Sequence, residues 1–418
     1  MTEKDILKKI DDRKPAAARF KKLQWYYEGK HKILTDKDGG DKIVNDFPGY
    51  IVDTVQGYLV SKPLTYSAKN GAEEHLDRLK NIFDDNNEPD HNAELIQNMS
   101  ICGEAYELIY TNENGDIRFC RIPEDELIPV FEETFDRALN YAIRKFKASA
   151  QTFVDFYDKE KIVHYEKKGN RLIQLEEETH FFGRVPVVYY HNNDRRMGDF
   201  EKQLPLIDAY NQRISESVDE MQALREAYLK ILNASGTDEE DLELMKRLGV
   251  IFIEGDGDAS FITKNINDAF IENNLKRIEK NIHKFAKVPD LSDENFSGDI
   301  SGIAIEFKLS GLEFLAATKE RKLYTGIRRR IKLITEILNI QGGNYDWRDI
   351  GITFHRNKPR NDKETADMVS GLHGLVSNET LIKQLSFVDD VSLEFEQLAE
   401  QEKDGLDYGI FAAPKNEL

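Results

Sequence analysis

Apolar residues between positions 267 and 288 recur at helical spacing: Ile271, Leu275, Ile278, Ile282 and Phe285 step by four, three, four and three. That draws one apolar stripe down one side of an α-helix. Lys276, Lys280, Lys284 and Lys287 step by four, four and three, so they form a basic stripe on another side. Pro289 ends this helix, since proline lacks a donor and disfavours α geometry just before it. PDLSDENFSGDISG (residues 289–302) follows, an acidic loop without a basic residue, and residues 303–340, free of proline, predict a much longer helix. Upstream, Ile207, Tyr210, Ile214, Val218, Met221, Leu224 and Tyr228 step by three and four and predict a helix over 204–232.

The rest of the chain divides by period. Residues 5–29 predict a charged helix ending in Trp25, Tyr26 and Tyr27, an aromatic anchor onto the next domain. A loop spans 35–42, a helix runs from about Pro48 to Lys62, and a strand starts after Pro63. Two amphipathic helices cover 73–87 and 90–101. Alternation then takes over: EAYELIYTNENGDIRFCRIP predicts a hairpin turning at Gly115. DELIPVFE, RALNYAIRKF, TFVDFYD, KIVHYEKKG and RLIQLEEE continue as short strands, and GRVPVVYYHNN as an exit strand. Helices first and a largely antiparallel sheet afterwards make this an α+β domain. Residues 233–264 form a small insert: helix EEDLELMKRL, strand GVIFIEG, a DGD turn and strand ASFIT. So short an insert buries no core of its own and calls for neighbouring subunits. ITFHRN is a strand able to rejoin the first domain's sheet. Residues 362–402 predict two or three short helices with Asn378 as an N-cap, and the tail 407–418 is loosely held.

At 418 residues the chain accommodates two or more domains. No apolar run reaches membrane-span length and the N-terminus lacks a signal-peptide core, so a cytoplasmic protein is expected. Cys102 and Cys120 are expected as buried free thiols. The net charge of −19 excludes a protein that coats nucleic acid over its whole surface, but permits contact through a small basic element. Phosphate-loop, dinucleotide, zinc-protease and nucleophile-elbow motifs are missing, so neither an enzyme nor a cofactor or metal is expected. GDGD (255–258) reads as a hairpin turn rather than a calcium loop. His31, His75, His164, His180 and His191 read as strand or surface residues, and the acidic runs 176–178 and 238–241 as solvated faces or helix starts. The basic stripe is the best-supported functional feature. A second basic run, KERKLYTGIRRRIK (319–332), reads as an exposed face salt-bridged to acidic surroundings.

The order of these pieces resembles the portal proteins of tailed double-stranded DNA bacteriophages, in particular the family of long-tailed phages of Gram-positive hosts. Six stretches carry the resemblance: YYEGKHKI (26–33), IVDTVQGYLVSKPLTY (51–66), CGEAYELIY (102–110), GRVPVVYYHNN (183–193), LIDAYNQRISESVDE (206–220) and SGIAIEFKLSGLE (301–313). The resemblance implies a ring of about twelve subunits at one capsid vertex of the virion, assembled in the host cytoplasm. DNA enters and leaves through its tunnel, and terminase, capsid or scaffolding protein and head-completion adaptors dock on it. It also implies a portal-type fold: wing 1–203, stem helices 204–232 and 267–288, clip 233–266, tunnel loop 289–302, long wing helix 303–340, returning wing strand 341–361 and crown 362–418. Lys276, Lys280, Lys284, Lys287, Asn295 and Phe296 would then face DNA. Asp238, Glu239, Glu240, Lys246, Arg247, Asp256 and Asp258 would sit in the clip that meets terminase and adaptors. A ring-forming minor capsid or adaptor protein that does not clamp DNA is the alternative, and a DNA-processing enzyme the third reading.

Overall fold

Helix-period residues open the chain and strand-period residues follow, and most become the element their spacing dictates. The computed structural model describes residues 1–36, 40–223, 228–232, 240, 243, 247, 258–262, 268–292, 302–357, 362–385, 388 and 391–403. They fall into two units.

The first unit is Met1–Pro289 with Gly311–Asn357. Helix α1 (Glu3–Tyr27) starts at a capping box: the Thr2 hydroxyl accepts from the Asp5 N–H, and the Asp5 carboxylate accepts from the Thr2 N–H at 3.0 Å. Its last turn anchors within the first unit, with the Tyr26 hydroxyl donating to Asp208 at 2.8 Å and the Tyr27 hydroxyl to Asp53 at 2.9 Å. Trp25 does not join them and stays exposed. Helix α2 (Phe47–Val60) is capped by Asp46, which accepts from the Gly49 N–H, and buries Ile51, Val52, Val55 and Leu59 completely. It packs on α4 (Glu88–Cys102), which follows α3 (Glu73–Asp85). Helix α4 ends at Gly103, whose φ is +84°; a Cβ there would lie 2.3 Å from the Arg196 carbonyl oxygen, so only glycine fits.

The strands form several antiparallel sheets rather than one. Strand β1 (Thr65–Ala68) pairs with β12 (Ile350–Thr353), Thr65 opposite Thr353, so the late strand does return to the first unit, as a separate pair. Strands β2 (Glu104–Thr111) and β3 (Ile117–Ile122) make the expected hairpin, with Gly115 at φ +83°. Strand β9 (Val187–His191) pairs on the other edge of β2. A five-stranded meander comprises β4 (Leu127–Phe131), β5 (Leu139–Ala148), β6 (Gln151–Tyr157), β7 (Lys161–Lys168) and β8 (Arg171–Thr179). Ile6 and Ile10 of α1 pack with Ile128, Ile143, Val154 and Val163 of that sheet. A second cluster joins Tyr106, Ile122, Leu139, Val185 and Val187. Each such buried side chain contributes about 1.5–3 kcal/mol.

Helix α5 (Leu204–Ala223) stops well before the expected position 232. Residues 228–232 instead form β10 (Tyr228–Leu232), antiparallel to β11 (Asp258–Ile262), Leu232 opposite Asp258. YLKIL alternates as well as it steps by fours, and pairing with β11 decided between the two. The expected helix EEDLELMKRL and strand GVIFIEG lie outside the described residues, apart from Glu240, Glu243 and Arg247. The expected apolar stripe of α5 is only partly buried, and Met221 is exposed. Its buried positions include the polar Asn211 and Ser215, which accept the backbone N–H groups of Asn45 and Ile43 at 2.9 and 3.0 Å. Side chains of α5 thereby satisfy an irregular segment that has no ladder partner.

Helices α6 (Asp268–Ala286) and α7 (Gly302–Ile340) follow, and α6 packs along α5. The second unit, Asp290–Ser310 with Lys358–Leu418, holds the start of α7 and three short helices: α8 (Asp362–Leu372), α9 (Asn378–Ile382) and α10 (Val391–Lys403). The cap of α9 is Ser377, one residue before the expected Asn378; its hydroxyl accepts from the Thr380 N–H. No described helix is long and apolar enough to cross a membrane.

Two further expectations fail. Cys102 is a buried free thiol, but Cys120 is exposed. His75 is buried on α3 and His31 just before the 3₁₀ turn Lys32–Thr35, rather than on a strand or at the surface. His31 stacks on Tyr26 at 4.7 Å, and His75 on Tyr345 at 4.8 Å while contacting the Thr335 hydroxyl at 3.0 Å.

Candidate nucleic-acid interface

Helix α6 turns its apolar stripe inward. Ile282, Ala286 and the following Val288 are buried, and Ile271, Leu275 and Ile278 are half-buried. Phe285, expected in that stripe, is 55% exposed. The helix closes with Ala286 in its place, one position on.

Lys276, Lys280, Lys284 and Lys287 are all exposed. At about 100° per residue they fall within roughly a 100° arc opposite the buried stripe. Arg277, which the four-step lysine pattern passes over, lies at the edge of the same arc and is also exposed. Its signal was available, three positions before Lys280. Lys276 is held by Glu272 one turn earlier at 2.7 Å. Among the described residues, Arg277, Lys280, Lys284 and Lys287 form no ion pair; the Lys284 ammonium sits 5.8 Å from the Phe285 ring centre. So little internal compensation leaves the arc as an outward-facing positive field.

The helix stops before Pro289. Lys287 adopts φ +62°, the Val288 N–H donates to the His283 carbonyl at 3.2 Å, and Tyr50 donates to the Pro289 carbonyl at 2.9 Å. This left-handed closure satisfies carbonyls that the end of a helix leaves open. Gly311 of α7 lies against it, where a Cβ would come 3.2 Å from the Lys287 carbonyl oxygen.

The second basic run behaves otherwise, and corrects the expectation of an exposed face. Lys319 and Arg330 of α7 are both 0% exposed. The Lys319 ammonium donates to Asp199 at 2.7 Å and to the Ser100 hydroxyl at 2.6 Å. Burial pushes its pKa down, opposed by Asp199. Arg330 donates to Glu107 at 2.7 Å, to Asn92 at 2.9 Å and to Glu88 at 3.3 Å. Tyr190 and His91 complete the shell of Glu107 at 2.6 and 3.0 Å, and Tyr66 donates to Glu88 at 2.6 Å. Burial alone would raise the Glu107 carboxyl, but Arg330, with His91 and Tyr190, holds it below the usual range. A signal existed here too: Leu312, Ala316, Lys319, Leu323, Ile327, Arg330 and Ile334 step by fours and threes, so both cations stand in the apolar stripe.

Of the residues expected in the clip, Glu240 and Arg247 are exposed, and Asp258 opens β11. Asp238, Glu239, Lys246 and Asp256 lie outside the described residues, as do Asn295 and Phe296 of the acidic loop.

A family model described as "Phage portal protein, SPP1 Gp6-like" matches residues 6–406. The portal protein of Bacillus phage SPP1 is 25% identical over 411 residues, covering 91% of this chain and 80% of that protein. The portal protein of Clostridium phage phiCD119 is 24% identical over 419 residues, covering 90% and 91%.

Proposed function

The chain belongs to the SPP1 Gp6-like family of phage portal proteins, structural proteins of the virion capsid that act as oligomeric rings, and from that premise we propose how its parts divide the work. The basic arc of α6 faces double-stranded DNA in the tunnel of a ring of about twelve copies, whose cyclic symmetry stacks the arc into bands of positive charge. These bands attract phosphate weakly and without regard to sequence, since tight binding would stall translocation. The acidic loop 289–302, with Asn295 and Phe296, lies at the narrowest point and repels the backbone, which helps DNA slide.

Residues 1–203 with the strand return 341–361 serve as wing, 204–232 and 267–288 as stem, 303–340 as the long wing helix and 362–418 as crown. The segment 233–266 is the clip that meets terminase during packaging and head-completion adaptors later, through Glu240, Arg247 and the residues around them. The chain does no catalysis itself; a separate terminase supplies the energy of packaging. Capsid or scaffolding protein recruits the ring during assembly in the host cytoplasm.

The single observation that carries this reading is the arc itself, four lysines and Arg277 exposed on one helix face with only Lys276 paired among the described residues, in a chain of net charge −19. The test replaces Lys280→Glu and Lys284→Glu together. Rings should still form, at about twelve times 48.3 kDa by native mass spectrometry, while DNA packaging falls. Packaging and ejection at wild-type levels would reduce the arc to a solvated face.

A further inference from the structure

A cleft of about 530 Å³ opens in the first unit beside the second half of α7, within the size range of small-ligand sites. Five cations line it from separate elements: Arg137 from the β4–β5 turn, Arg184 from the segment before β9, and Arg328, Arg329 and Lys332 from α7. Only Arg184 has a carboxylate partner, Glu336 at 3.1 Å; the other four form no ion pair among the described residues. Asp136 is the one acidic lining residue. Trp347 forms a wall, with the Arg328 guanidinium 4.5 Å and the Lys332 ammonium 5.3 Å from its ring centre. Arg329 is held in place by the Val187 and Val185 carbonyls at 3.2 and 3.4 Å.

So many like charges around one cavity repel each other. Burial and then Arg184 push the Lys332 ammonium down and the same two influences lower Arg329, with Glu336 opposing both. The missing counter-charge must fit a small space. Carboxylates bring one charge each, whereas consecutive phosphates bring more, with three acceptor oxygens apiece for planar guanidinium forks.

We propose that this cleft is a binding site for consecutive phosphate groups, supplied either by a free polyphosphate such as a nucleoside triphosphate or by a nucleic-acid backbone. It is separate from the basic arc of α6 and does not depend on it. Arg328, Arg329 and Lys332 grip the phosphates, and Arg137 closes over them.

The test uses the full-length assembled protein. Tripolyphosphate and ATP are titrated calorimetrically, and a short duplex DNA by fluorescence anisotropy, into wild type, Arg328→Gln with Lys332→Gln, and Lys332→Gln alone, which keeps the Arg328–Trp347 contact should the double variant fold poorly. Tripolyphosphate binding should weaken about tenfold in the double variant and less in the single one, and fall with added salt. The α6 variant Lys280→Glu with Lys284→Glu should bind tripolyphosphate as wild type does, which keeps failure of the tunnel reading distinct from failure of this one. A loss confined to tripolyphosphate and ATP identifies a free polyphosphate as the ligand, and a loss of DNA binding as well identifies a nucleic-acid backbone. No binding of any probe to wild type, or equal binding by the cleft variants, overturns the proposal. So would a cleft variant that binds every probe normally but fails to assemble, since the cleft would then be a contact between copies.

Discussion

The two basic runs have similar composition and opposite fates. In α6, lysines stand opposite the apolar stripe, remain exposed and, among the described residues, pair only at Lys276. In α7, Lys319 and Arg330 stand within the apolar stripe and are completely buried against Asp199, Glu107 and Glu88. Charge content alone therefore says nothing about role. The phase of a cation relative to the apolar stripe of its own helix does. Out of phase, it faces solvent and whatever solvent carries; in phase, it enters the core and must find a carboxylate there.

The sharpest way to break this contrast is to remove a buried cation. Arg330→Met leaves Glu107 and Glu88 buried without their guanidinium, and should destabilise the first unit by about 3–5 kcal/mol, read by chemical denaturation. If the loss were as small as for a surface lysine, the buried network would have no structural weight. A refinement concerns Lys319. Lys319→Met alone strands Asp199 and should cost about 3 kcal/mol or more, whereas Lys319→Met with Asp199→Leu should recover most of that, because removing both charges removes the desolvation penalty as well. A double variant no more stable than the single one would show that Ser100 and Asn192, which also bond this pair, dominate the site.

On the exposed side the expectation reverses. Lys280→Glu with Lys284→Glu should shift stability by about 0.5 kcal/mol or less, while packaging suffers. A large loss of stability there would mean that the arc is a packing surface. A last effect is pH-linked and concerns Glu124, a buried carboxylate near Arg121 at 3.2 Å. Burial pushes its pKa up to about 7 from 4.5, against the pull of Arg121. Because the folded value is the higher one, its contribution to stability is complete below pH 4.5 and is lost as pH rises through about 7. Glu124→Gln should therefore gain on wild type between pH 5 and pH 8, by roughly a few degrees in Tm. An unchanging difference across that range would show that Glu124 ionises normally.

Much of the fold was legible because local spacing and tertiary demand agreed. The period-two runs after Gly103 became β2 to β9, and residues 303–340 became α7 almost to the residue. The helix α6 and the lysine face were legible for the same reason, as an apolar stripe and a basic stripe on one helix have a single arrangement. Legibility failed where two local readings were equally good. YLKIL fits a helix or a strand, and β11, some thirty residues later, chose the strand. Asn378 and Ser377 are both good caps, and the entry of the chain into α9 selected Ser377. Cys120 alternates with the buried Ile117 and Phe119 and shares a face with Arg118, so the period of β3 itself points it outward.

The sequence by itself determined the class and order of the elements, the acidic balance, the basic face of α6 and the family resemblance carried by six short stretches. These depend on residues close together in the chain, where spacing sets which side chains share a face. Only the tertiary structure decided which carboxylates Lys319 and Arg330 meet, that Asn211 and Ser215 hold the 43–45 segment, and that Arg137, Arg184, Arg328, Arg329 and Lys332 meet around Trp347. Those groups lie many residues apart, so their local patterns carry no trace of one another. A charge acquires its partner, its burial and its pKa only when distant elements close around it.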